Sequence, residues 1–179
     1  MMNEEERYQF DLQGFVVIPN ALSAETLATL NAELDSQISK HQIAPEALTH
    51  RFPFVIDWSP AYRKAINNPT VHPYLTELLG EKYRLDHDYL DILRKGNGMT
   101  KAWLHGGGTP FDPSQYYRWD NGKMRNGLTV VAYNLHDVNP GDGGFACVPG
   151  SHKSNLPYPE KWRYTFNAPP WMIGVRDLL

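Results

Sequence analysis

The chain has 179 residues, 41% hydrophobic and 12% aromatic, enough to bury one sizeable core and too apolar for intrinsic disorder. A formal net charge of −3, with no Lys/Arg block to neutralise a row of phosphates, argues against nucleic acid as a partner. No apolar run approaches membrane-spanning length and the acidic start MMNEEERYQF is unlike a signal peptide, so no membrane is expected; with Cys147 the sole cysteine, an intrachain disulfide and a Cys-based zinc cage are excluded and a reducing, cytoplasmic setting is expected.

After the acidic lead, GFVVIPN (14–20) is a short β-rich run closed by Pro19 and Asn20 and reads as a strand. Ser23 then supplies a helix cap, Glu25 suits a positive first turn, and Leu27, Leu30, Leu34 and Ile38 recur at offsets of three or four, the pattern of an amphipathic helix. Ser59 before Pro60 and Asn68 before Pro69 mark two further helix starts, and Gly80 stands where a helix ends. From Tyr83 the pattern changes to period two, with Leu85, His87, Tyr89, Asp91 and Leu93 on one side and Arg84, Asp86, Asp88, Leu90 and Ile92 on the other. NGLTVVAYNLHDV (126–138) is the strongest strand candidate; NPGDGG is a turn, and FACVPGSH resumes as a strand. Helices followed by short strands and Gly/Pro turns predict a mainly β protein with N-terminal helices, a jelly roll in one domain spanning 1–179. The closing stretch LPYPEKWRYTFNAPPWMIGVRDLL ends on an apolar segment with no closing element, so an incomplete sandwich is expected.

AWLHGGGTPF (102–111) sets His105 before three glycines, which admits a metal ligand on a strand end, an esterase oxyanion loop or a plain turn. The esterase reading demands a G-x-S-x-G elbow downstream. Ser151, in VPGSHKS, has Pro149 and Lys153 where the glycines belong. Neither GNGMTKA (96–102) nor NGKM meets the requirements of a phosphate loop, and both read as turns. The other histidines show no H-x-x-x-H or H-E-x-x-H spacing and read individually as polar or surface residues, with His87 and His136, on predicted strands, as candidates to face a pocket. On a strand, H-x-D would place two ligands on one side, leaving positions open on an iron of the two-histidine, one-carboxylate type; here the pair is His105 and Gly107.

GFVVIPNALS, RLDHDYLDIL, WLH, VVAYNLHDV and above all NPGDGGFACVPGSHKSN resemble the phytanoyl-CoA dioxygenase family of Fe(II)- and 2-oxoglutarate-dependent oxygenases. The resemblance covers most of the chain. It implies a double-stranded β-helix with helices packed on one sheet, Fe(II) as metal, 2-oxoglutarate as cosubstrate and hydroxylation of a small organic substrate. By position, His105 matches the first iron ligand, Gly107 stands in place of the usual carboxylate, and Tyr133 falls where relatives place an aromatic lining the cosubstrate pocket. GDGGF and PGSH look like structural turns. The family's second histidine and the arginine that grips 2-oxoglutarate fall beyond residue 179, which implies a fragment or truncated product, inactive alone.

Gly107 leaves three readings open. The vacated position resembles that of iron halogenases, where chloride takes the carboxylate's place. Alternatively Asp112, or Asp120, swings back to ligate iron, the three glycines making the loop's start permissive. Or the metal site is weak or lost, leaving a catalytically inactive, cupin-like binding module.

Overall fold

The computed structural model describes residues 1–94, 114–139, 145–160 and 173–174. Helix α1 (Glu4–Gln13) opens on a reciprocal cap: the Asn3 side chain accepts from the Glu6 N–H at 2.8 Å, and the Glu6 carboxylate accepts from the Asn3 N–H at 2.8 Å. Three glutamates in its first turn face the positive end of the helix dipole, and Gly14 closes it at φ 86°. Helix α2 (Ala24–Lys40) starts where the sequence placed it: the Ser23 side chain accepts from the Thr26 N–H at 3.1 Å, and Leu30 and Leu34 are buried. Strand β1 (Thr49–Pro53) leads through a 3₁₀ turn (Val55–Asp57) into α3 (Pro60–Ile66), which begins at Ser59–Pro60 as expected.

Helix α4 (His72–Leu79) begins three residues later than the Asn68–Pro69 signal. The Asn68 side chain accepts from the Thr70 N–H at 2.8 Å while its backbone carbonyl accepts from the N–H groups of Val71 and His72, so a turn precedes the helix.

The strands are short, and they form three antiparallel pairs: β1 with β2 (Tyr89–Leu93), β3 (Tyr117–Asp120) with β4 (Lys123–Asn126), and β5 (Ala146–Cys147) with β6 (Ile173–Gly174). An isolated two-stranded sheet is marginal in water, so helices must cover the first two. Pairing of Phe52 with Leu90 and of His50 with Ile92 sends Phe52, Leu90 and Ile92 into a cluster with Leu30 and Leu34 of α2 and Tyr62 of α3. The Tyr62 hydroxyl donates to the Leu30 carbonyl at 3.1 Å, and its burial pushes the phenol up to about 12. A second cluster joins Met2 and Phe10 near the N-terminus, Leu78 of α4 and Met124 of β4. Arg7 of α1 pairs with Glu77 of α4 beside it.

Four strand expectations are corrected. Residues 14–20 carry no strand; Val16 packs on the second cluster without a ladder partner. Of 126–138 only Asn126 lies in a strand; beyond Gly127, side-chain hydrogen bonds from Asn31 and Tyr133 hold the segment. The period-two reading from Tyr83 holds only from Tyr89, and FACVPGSH keeps two strand residues before passing into a 3₁₀ turn (Ser151–Lys153). Among the described residues the architecture is a mixture of helices and small sheets. No helix there is long and apolar enough to cross a membrane.

Candidate functional site

The segment from Gly127 to Asn139 is tied to helices α2 and α3 by polar contacts. Asn31, on α2, donates from its side-chain amide to the Leu135 carbonyl at 2.9 Å, and the Tyr133 hydroxyl donates to the Ala65 carbonyl near the end of α3 at 3.0 Å. These bonds do for the segment what a ladder would do for a strand. Burial pushes the Tyr133 phenol upward, so it is a neutral donor at neutral pH. Between this segment and α2 lies an open cleft of about 380 Å³, bounded by Leu27 and by residues 134–139, with His136 and Asp137 at its solvent side. Sequence reasoning passed over Asn31; a polar residue directly after Leu30 and four residues after Leu27 is the signal that marks it.

The PGSH motif is a turn that docks on α1. Gly150, at φ 78°, donates its N–H to the Gln13 carbonyl at 2.8 Å, and His152 donates from Nε2 to the Asp11 carbonyl at 3.0 Å. Two carbonyls that a helix C-terminus leaves orphaned are thus satisfied from the far end of the chain. The His152 ring lies edge-on to Tyr117, with centroids 4.6 Å apart, and the Tyr117 hydroxyl bonds to the Asp11 carboxylate. His152 Nδ1 is buried without a hydrogen-bond partner among the described residues, and burial lowers the imidazole pKa.

Hairpin β3–β4 turns at Asn121 and Gly122, at φ 51° and 74°, a two-residue turn where NGKM led one to expect a turn. Asp120, one of the carboxylates weighed as an iron ligand, stands at its tip, exposed and opposite Lys123. His105, Gly107 and Asp112 lie outside the described residues, as does 96–102, where the sequence led one to expect a turn. Four other histidines make ordinary contacts. His41 and His50 pack edge-on to Phe52, and His72 shares a hydrogen bond with the Tyr83 hydroxyl at 2.5 Å. His87, exposed and ahead of β2 rather than on it, pairs with Asp86 at 2.8 Å and stacks on Tyr89. Among the described residues no three His, Cys, Asp or Glu side chains converge to hold a metal ion.

A family model described as phytanoyl-CoA dioxygenase matches residues 10–171. No curated protein matches the chain. Among solved structures, HygX from Streptomyces hygroscopicus with nickel and 2-oxoglutarate bound superimposes with a TM-score of 0.78 at 21% identity, over 97% of this chain and 73% of that one. The same protein with nickel, 2-oxoglutarate and hygromycin B bound gives 0.74 at 22% identity, with 97% and 73% covered. Its iron-bound form gives 0.71 at 21%, with 97% and 72% covered. At this identity the likeness is one of fold.

Proposed function

The chain belongs to the phytanoyl-CoA dioxygenase family, and from this premise we propose that it is an Fe(II)- and 2-oxoglutarate-dependent oxygenase-like protein, built as a double-stranded β-helix and acting on a small organic substrate. The observation that carries the reading is the family match over residues 10–171. It is supported by the likeness in fold to HygX, whose structures hold iron or nickel, 2-oxoglutarate and hygromycin B.

The described residues do not make up a metal site, so the ligands are assigned outside them. His105 is the imidazole donor of the WLH element, and Asp112, which follows the three glycines in sequence, is the carboxylate that compensates for Gly107. Bound there, Fe(II) supplies oxidative chemistry, coupling the decarboxylation of 2-oxoglutarate by oxygen to attack on a substrate C–H bond. Tyr133 lines the cosubstrate pocket with its ring, since its hydroxyl is already committed to the Ala65 carbonyl.

The test is anaerobic Fe(II) titration with and without 2-oxoglutarate, followed by succinate release in air. Iron-dependent succinate formation that His105→Ala abolishes and Asp112→Asn weakens supports the assignment. A product halogenated in the presence of chloride, with Asp112→Asn silent, assigns Gly107 to a halogenase-like site instead. Absence of both iron binding and succinate favours a binding module that kept the fold and lost catalysis, the reading for which Gly107 itself speaks.

A further inference from the structure

The outer face of hairpin β3–β4 carries an arrangement that folding alone does not explain. In its register Arg118 lies directly opposite Arg125, and Asp120 lies opposite Lys123. Directly opposed residues share a face with Cβ atoms about 5 Å apart, and like charges so placed destabilise the pair. The ion pairs found among the described residues are Arg7–Glu77, Arg51–Asp91, Arg63–Asp57, His87–Asp86 and Lys153–Asp11, and neither arginine takes part in one. Both are exposed. Three cations thus share the face with a single carboxylate.

A second observation shows that the face is organised. Tyr116, two residues before Arg118 and so on the same side, lies under the Arg118 guanidinium, 5.1 Å from ring centroid to Cζ. The ladder extends one step past the strands, the Gly127 N–H donating to the Tyr116 carbonyl at 3.0 Å. A Cβ at Gly127 would overlap the Ser114 carbonyl oxygen and lie 2.8 Å from the Tyr116 ring. The absent side chain lets the ring settle across the hairpin, and the ring in turn steadies one of the two guanidiniums.

We propose that this face is a binding site for a phosphate-bearing small molecule, with the phosphate held between the guanidiniums of Arg118 and Arg125. Each guanidinium presents a planar fork of N–H donors that matches two phosphate oxygens, and a dianion balances the two uncompensated positive charges. Lys123 on the same face adds attraction without fixed geometry, whereas Asp120 disfavours an anion placed at the tip and directs it toward the arginine pair.

Inorganic phosphate and pyrophosphate are the probes, titrated by calorimetry and thermal shift at constant ionic strength set with sodium chloride. Saturable binding of pyrophosphate is expected, weakened about tenfold or more in Arg118→Gln and in Arg125→Gln. Without anion, Arg125→Gln should melt at or above the wild-type temperature, because removing one of two opposed cations relieves their repulsion. The proposal is overturned if no saturable binding exceeds the chloride control, or if both variants bind pyrophosphate like the wild type. It is equally overturned if binding appears only with phosphatidylglycerol vesicles or RNA, which would make the face a macromolecular contact. None of these readouts depends on iron or on succinate formation, so failure here is separable from failure of the oxygenase reading.

Discussion

His152 is held by one ring nitrogen and exposed to penalty at the other. Nε2 donates to the Asp11 carbonyl, while Nδ1 lies buried against Gly14, and Asp11, Lys153 and Tyr117 are the ionisable groups around it. Burial lowers the imidazole from its ordinary 6.5, so the unfolded chain takes up a proton at a higher pH than the folded one. Stability is therefore intact above 6.5 and falls as pH drops through that value toward the lower folded one. Urea denaturation at about pH 7.5 and about pH 5.5 should show this loss, and His152→Gln, which keeps an amide donor, should flatten it. The same contact explains Gly14: it sits at positive φ, and a Cβ there would run into the His152 ring. Gly14→Ala is expected to cost about 1–3 kcal/mol in the same measurement.

At the scale of elements, the helices were legible because their signals are local. The stripe Leu27, Leu30, Leu34, Ile38 behind the Ser23 cap, and the Ser59–Pro60 start, each needs only neighbours in sequence. Helix α1 carries an equally local signal, Asn3 with Glu6 three residues on and Gly14 at the end, yet its acidic composition masked it. Asn3→Ala removes the reciprocal cap and should cost about 1 kcal/mol, read from the urea midpoint. Strands were harder, since β propensity reports a half-buried surface and says nothing of whether a partner strand is present. Residues 14–18 and 128–138 have the composition of strands and the half-exposed pattern, but hydrogen bonds from Asn31 and Tyr133 replace a ladder in the second. Conversely, β1 was missed because THRFP alternates poorly, and only its register against β2 turns Phe52 inward.

On the scale of the molecule, the apolar interior among the described residues is two clusters with different members, one centred on Leu30, Leu34 and Phe52, the other on Phe10, Leu78 and Met124. Leu34→Ala and Met124→Ala should each cost about 2–5 kcal/mol, and the double variant should show their sum to within about 0.5 kcal/mol, because the sites share no partner. A shortfall would mean that strain passes from one cluster to the other. Of the proposed iron site the sequence offers only His105, with Gly107 where a carboxylate was expected, because ligands contributed by segments far apart in the chain leave no local spacing to record them. The arginine pair on the hairpin was invisible for the same reason: Arg125 lies seven positions after Arg118, and only the turn at Asn121–Gly122 sets them face to face. Helix α1 shows what such distances imply for biosynthesis. The imidazole that satisfies the Asp11 carbonyl is encoded 141 residues downstream, so at about 5–20 residues per second the ribosome delivers it roughly 7–30 s after that helix has been made. Until then the nascent helix must rely on water, or on a chaperone, to cover its frayed last turn.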